Sequence, residues 1–228
     1  MFFDPLYIVI MGVTALLGFW ASFRVKSAFA KWKQVGTRRG MTGADVAREI
    51  LRRSGVHDVE VEQVSGFLSD HYDPRSRTLR LSPDVYHGTS VAAAGVAAHE
   101  VGHALQHAAK YWPLQVRSYL APAASFGGNI SMIVFGLGLA VGALGLAKLG
   151  VVLFSIMVAF TLITLPVEFN ASNRAKALLP EMGITQGEEG AGIAKVLNAA
   201  AMTYVAGAVS AIATLVYLVV RSGIASDD

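Results

Sequence analysis

His99-Glu100-Val101-Gly102-His103 lies within a stretch, Ser90 to Ala109, whose composition predicts a helix. On a helix, residues four apart stand one above the other on a single face. His99 and His103 can therefore turn two imidazoles onto one metal ion. Glu100 is the next position round, where its carboxylate can reach a water at the metal without ligating the ion. Two His ligands, one open position and a base beside the water form the zinc hydrolase arrangement. A single helical histidine is more often a packed or capping residue, so the metal reading rests on the pair with Glu100 after the first.

The same helix shows what surrounds the motif. Thr89 or Ser90 can cap it, and Val91 to Ala98 is small and apolar, suited to burial and close packing. It turns polar at Gln106, His107 and Lys110 and stops before Pro113, which makes it too polar for a membrane span. His107 continues the His99/His103 face one turn on. It is a candidate to touch substrate or a ligand, or an ordinary exposed histidine.

Upstream, Thr42 to Ser54 predicts a short amphipathic helix. Thr42 is its cap, Asp45 its capping-box partner and Gly55 its stop. Val59 to Val64 alternates like a half-buried strand. Gly66 to His71 and Thr78 to Ser82 predict a hairpin about the turn Asp73-Pro74-Arg75-Ser76, with Leu79 and Leu81 on one face. A small sheet beside a metal helix either supports the helix or offers an edge that holds an extended peptide.

The rest of the chain is apolar. Of 228 residues, 54% are hydrophobic and 15% charged, less charge than a water-soluble domain of this size carries. Four runs approach the roughly 20 residues needed to cross a bilayer: Pro5 to Phe23, Ala124 to Ala147, Val151 to Val167 and Ala199 to Val220. Lys148-Leu149-Gly150 is read as the tight break between the middle two, and Gly138 and Gly142 have the spacing of a close helix contact. Thr185 and Glu188 resemble a capping box leading into the last run. The absence of cysteine excludes Cys-ligated zinc, disulfides and thiol catalysis. The net charge of +3 is modest, and with no basic face or nucleic-acid motif nothing points to nucleic acid.

Positive charge follows the first run rather than preceding it, which favours an uncleaved anchor over a secretory leader. Arg24, Lys26, Lys31, Lys33, Arg38 and Arg39 come with no acidic residue among them. The positive-inside rule then places the following segment in the cytoplasm. A protein-held catalytic zinc needs a third ligand. The candidate is Glu168, directly after the third run; it could instead mark the water interface or pair with Arg174, and Glu181, Glu188 and Glu189 are weaker candidates. Two spans separate His103 from Glu168, so the count returns both to one side of the membrane. Four spans place Asp227 and Asp228 outside.

HEVGH, the apolar hairpin and then Val167-Glu168-Phe169-Asn170-Ala171-Ser172-Asn173-Arg174-Ala175 resemble the YugP-type neutral zinc metallopeptidases of bacterial membranes. The resemblance covers nearly the whole chain, including Thr203 to Ala206 before the last span, and extends more distantly to HtpX-like and CAAX prenyl proteases. It implies His99, His103 and Glu168 as ligands of one zinc ion, and Glu100 as general base. The wider class usually carries Asp four residues after the ligand Glu, to orient a zinc-bound His. Here that position is Ser172, with Asn173 nearby. His107 and Arg174 are candidates to stabilise the oxyanion.

The expectation is a mainly α integral membrane protein with about four transmembrane helices and a small α+β, gluzincin-like zinc metalloprotease domain containing a short β-sheet. Its parts are an anchor helix (1–23), a cytoplasmic-side protease region with the HExxH helix (24–123), a transmembrane hairpin (124–167), a third-ligand helix and loop (168–198), a transmembrane helix (199–221) and a tail (222–228). Such a protein would sit in the bacterial inner membrane with its active site facing the cytoplasm. It would hydrolyse membrane-associated or unfolded polypeptides, with the lipid bilayer as its other partner and a membrane-protein partner or a homo-oligomer left open. A non-catalytic scaffold with a structural metal is the alternative, disfavoured because such a site has no need of Glu100. Cleavage within the bilayer is disfavoured by the polarity of the HExxH helix.

Overall fold

The computed structural model describes the chain from Asp4 to Gly223. Residues 1–3 and 224–228, and with them Asp227 and Asp228, lie outside the described residues. In chain order the elements are α1 (Pro5–Lys33), α2 (Gly43–Arg53), β1 (Glu60–Gln63), β2 (His71–Asp73), β3 (Thr78–Leu81), α3 (Pro83–Tyr86), α4 (Val91–Ala108), α5 (Trp112–Ala140), α6 (Leu144–Glu181) and α7 (Glu188–Arg221). They contribute to two compact units.

One unit takes in the chain up to Trp20, Gln115–Pro166 and the chain from Thr203. Its segments belong to α1, α5, α6 and α7, which among the described residues are the four helices long and apolar enough to cross a membrane. Leu16, Phe19, Phe126, Ile133, Val152 and Val216 all stand exposed. In water so many bare apolar side chains would drive association. In lipid they meet a solvent of their own kind, while each helix satisfies its own backbone. The protein is a multi-pass, membrane-embedded one. Inside this unit Phe135, Val151, Phe154, Tyr217 and Leu218 make a core, and the Tyr217 hydroxyl donates to Asp4 Oδ2 at 3.1 Å.

The break between the middle two spans is not at Lys148-Leu149-Gly150, which lies within α6. It is at Gly142, where φ is +70°. Only glycine adopts that conformation at little cost, so the helix stops there. Ala143 N–H bonds Gly138 O at 2.8 Å and Gly142 N–H bonds Leu139 O at 3.4 Å, the paired contacts of a glycine-ended helix. Gly138 does serve a close helix contact, since a Cβ there would stand 2.9 Å from Ala147 Cα of α6, whereas Gly142 touches no neighbour and ends the helix.

The other unit is Ala21–Leu114 with Val167–Met202. An isolated helix as short as α2 is marginal in water, so its stability comes from packing. Val46, Ala47, Ile50 and Leu51 are buried with Val91, Ala94, Ala98 and Val101 of α4. Burying each of the larger side chains contributes roughly 1.5–3 kcal/mol. Thr42 and Asp45 form the expected capping box, with Asp45 N–H donating to Thr42 Oγ1 at 3.1 Å and Thr42 N–H to Asp45 Oδ2 at 3.2 Å. Ser90 caps α4, its Oγ accepting from Ala93 N–H.

The sheet has the order β1-β3-β2, with β1 parallel and β2 antiparallel to β3. Leu79 and Leu81 of β3 are buried, as their alternation requires, and Thr78 is buried too. The hairpin's first strand is shorter than its composition suggests. Gly66 (φ +117°) and Leu68 (φ +54°) take left-handed conformations, so regular pairing begins only at His71. The Thr185/Glu188 box is displaced by one residue: Glu189 accepts from Gln186 N–H at 2.8 Å and from Arg38 N–H at 2.7 Å.

The hairpin turn generates a pH test. Arg75 N–H and the Ser76 hydroxyl donate to Asp73, bringing its carboxyl down from 3.8 to about 2. A carboxylate whose pKa falls on folding contributes stability above its unfolded pKa and loses it as pH falls through the folded value. Asp73→Asn should lower the melting temperature at pH 6, and the gap to wild type should close between pH 4 and pH 2. A gap independent of pH would contradict this assignment.

Candidate metal centre

Two helices bring the site together. His99, Glu100 and His103 come from α4, and Glu168 comes from α6. The helices approach closely at Gly102. A Cβ at that position would stand 2.7 Å from the carbonyl oxygen of Ala171 and 3.0 Å from its Cα. The glycine inside HEVGH is therefore a packing residue. It lets the α4 face carrying the imidazoles lie against the α6 backbone between Glu168 and Ser172.

The Glu168 carboxylate is 2% exposed. Its Oε2 lies 3.2 Å from His99 Nε2 and 3.6 Å from His103 Nε2. One donor atom from each residue falls within 4.8 Å of the others. Zinc bonds of about 2.0–2.1 Å at tetrahedral angles set neighbouring ligand atoms roughly 3.3–3.4 Å apart. Both separations from Glu168 Oε2 match that spacing, and two imidazoles with one carboxylate are a zinc donor set with a fourth position left for chemistry. The residues fit one zinc ion.

Charge in the site agrees. Burial disfavours a protonated His103, but Glu168, with Glu100 also contributing, holds its pKa above the ordinary value. Asp70, just before β2, is shifted upward by burial and further by the charge of Glu100, against the lowering effect of Ser82, whose N–H and hydroxyl it accepts. Carboxylates gathered around imidazoles make a place for a cation. Glu100 is itself buried.

The outward nitrogens of both imidazoles are also engaged. Ser172 Oγ lies 3.1 Å from His99 Nδ1, on the α6 face that carries Glu168 four residues earlier. Gln106 Oε1 lies 3.0 Å from His103 Nδ1. Gln106 Nε2 donates to Val167 O at 2.8 Å and to Asn170 Oδ1 at 3.0 Å.

The chain matches the family described as "Putative neutral zinc metallopeptidase" over residues 7–223. The chain belongs to this family. A curated relative, "Putative membrane protease YugP" of Bacillus subtilis, is 49% identical over 201 residues, covering 88% of this chain and 89% of the relative. No solved structure matches the chain. The centre is a His-His-Glu triad, His99, His103 and Glu168, a donor set for one catalytic zinc.

Of the other residues singled out in the sequence, Ser172 reaches a ligand histidine and Asn173 is exposed. Arg174 Nε donates to Asn170 Oδ1 at 2.9 Å. His107 Nδ1 lies 2.8 Å from the Tyr72 hydroxyl of β2. Among the weaker ligand candidates, Glu181 and Glu188 are exposed and Glu189 is taken up by the Gln186 and Arg38 backbone. Sequence reading missed Gln106, Asn170, Tyr72 and Asp70. Gln106 carried a signal, since it stands three residues after His103 on the same helical face. Tyr72 and Asp70 carried none, because the fold alone brings β2 beside α4.

Gly102→Ala tests the close approach. Alanine in an open helix position is favoured over glycine by about 1 kcal/mol. Overpacking against Ala171 should outweigh that and destabilise by about 1–3 kcal/mol. The melting temperature and bound zinc should both fall; a raised melting temperature with zinc retained would contradict the packing role.

Proposed function

We propose that the protein hydrolyses peptide bonds of membrane-associated or unfolded polypeptides at the cytoplasmic surface of the bacterial inner membrane. The observation that carries this reading is the triad itself: two imidazole nitrogens 3.2 and 3.6 Å from one buried carboxylate oxygen. When bound there, zinc lowers the pKa of a water towards about 7 and polarises the scissile carbonyl.

The chain's own groups do the rest. His99, His103 and Glu168 hold the ion and leave one position for reactants. Glu100, buried next in sequence to a ligand, takes the proton from the attacking water and delivers it to the leaving amine. The new C–O bond replaces the C–N bond, and the proton removed from the water ends on the amine. The Tyr72–His107 pair supports His107 as the oxyanion donor, held in place by the tyrosine hydroxyl. Arg174 is the weaker choice, since it is turned to Asn170. Tyr72 also puts β2, an outer strand of the sheet, beside the metal helix, which supports that edge as the place for an extended substrate.

The cytoplasmic assignment is supported by Arg24, Lys26, Lys31, Lys33, Arg38 and Arg39, which belong to the same compact unit as the triad.

Glu100→Gln should keep a full complement of zinc and lose about 10²–10⁴-fold in cleavage of an unfolded protein by the detergent-purified enzyme. Retained activity would remove Glu100 from its role, and lost zinc would make it part of the metal cage. The chain has no cysteine, so Arg75→Cys gives a single thiol at the exposed hairpin turn. A membrane-impermeant maleimide should label it in inside-out vesicles and spare it in spheroplasts. The reverse pattern would place the active-site unit outside.

A further inference from the structure

Gln106 is 0% exposed, yet its amide is fully engaged, and its partners fix which way it faces. The Val167 carbonyl oxygen, 2.8 Å from Gln106 Nε2, can only accept. The nitrogen end of the amide must therefore face Val167, and Asn170 Oδ1 at 3.0 Å takes its second hydrogen. Oε1 is left facing His103 Nδ1 at 3.0 Å. An amide oxygen can only accept, so Nδ1 must carry the hydrogen. In the neutral ring the lone pair then lies on Nε2, the atom turned towards Glu168. A backbone carbonyl on the Glu168 helix thereby sets the tautomer of a histidine on the other helix. His99 has no such lock: the Ser172 hydroxyl 3.1 Å from its Nδ1 can donate or accept.

We infer that Gln106 is the positioning residue of the metal centre, holding His103 as the Nδ1–H tautomer and tying it to Val167 and Asn170 on either side of Glu168. Asn170 extends the chain outward, since its Oδ1 also accepts from Arg174 Nε at 2.9 Å. The ligand from α4 and the ligand from α6 are thus held in register by a single amide. Partners of this kind typically govern metal affinity by about 10–100-fold. This inference rests on the zinc reading of the triad, and the test separates the two.

The test compares wild type, Gln106→Met and Gln106→Glu. Zinc affinity is read by competition with a chromophoric chelator, folding by melting of the apo-protein, and the tautomer by ¹⁵N-histidine NMR with His103 assigned by its own substitution. Gln106→Met removes the acceptor and should weaken zinc binding about 10–100-fold. Gln106→Glu keeps an acceptor for Nδ1–H while losing both donors, and should bind zinc more tightly than Gln106→Met. The apo wild type at pH 8 should show His103 protonated at Nδ1, and Gln106→Met should show a tautomer mixture. A wild-type His103 whose Nδ1 carries no hydrogen, or a Gln106→Met variant with wild-type zinc affinity, would overturn the inference and leave the zinc reading standing. Gln106→Glu no better than Gln106→Met, with both apo-proteins folded, would also overturn it. Wild type that binds no zinc would defeat the zinc reading on which it rests.

Discussion

Glu168 carries a carboxylate into an interior where it is 2% exposed, and the active-site unit is built around that charge. A buried carboxylate is tolerated only where cations or hydrogen-bond donors meet it. Here α4 meets it with two imidazoles, and the bare backbone at Gly102 lets α4 come close enough to α6 to do so. Leu or Val at that position would satisfy the helix and the core while pushing the imidazoles off the carboxylate. The metal centre thus depends on a missing side chain as much as on the three that are present.

The surroundings divide into groups that hold the ligands and groups free to act on a substrate. Ser172 and Gln106 face the outward nitrogens of the two histidines and serve the first task. In the proposed mechanism, Glu100 and the His107–Tyr72 pair serve the second. The outer strand of the sheet places the Tyr72 hydroxyl 2.8 Å from His107 Nδ1. The lipid-facing segments in the other unit follow a different rule, with large apolar side chains outward and a smaller core of aromatic and branched residues within.

Much of this was legible in the chain. Period-four histidines, long apolar runs and the capping signals of α2 and α4 each have a local cause, and local causes can be read from sequence. The even number of spans between His103 and Glu168 pointed to the right carboxylate, because topology counts are also local sums. What escaped was one local signal given too little weight and several contacts with non-local causes. The helix break fell at Gly142, because positive φ stops a helix more decisively than the Lys148-Leu149-Gly150 polarity shift that first drew notice. Glu189 displaced Glu188 at the start of α7 because Arg38, far away in sequence, offered it a second donor. Gln106 and Asn170 looked like ordinary polar residues until two helices were laid side by side.

The most direct measurement is zinc K-edge absorption on the purified, zinc-loaded protein. A shell of nitrogen and oxygen at about 2.0–2.1 Å with outer-shell scattering from two imidazoles is expected, falling to one imidazole in His99→Ala protein that is reloaded with metal. A six-oxygen shell, or imidazole scattering unchanged by loss of His99, would contradict the His99–His103–Glu168 centre.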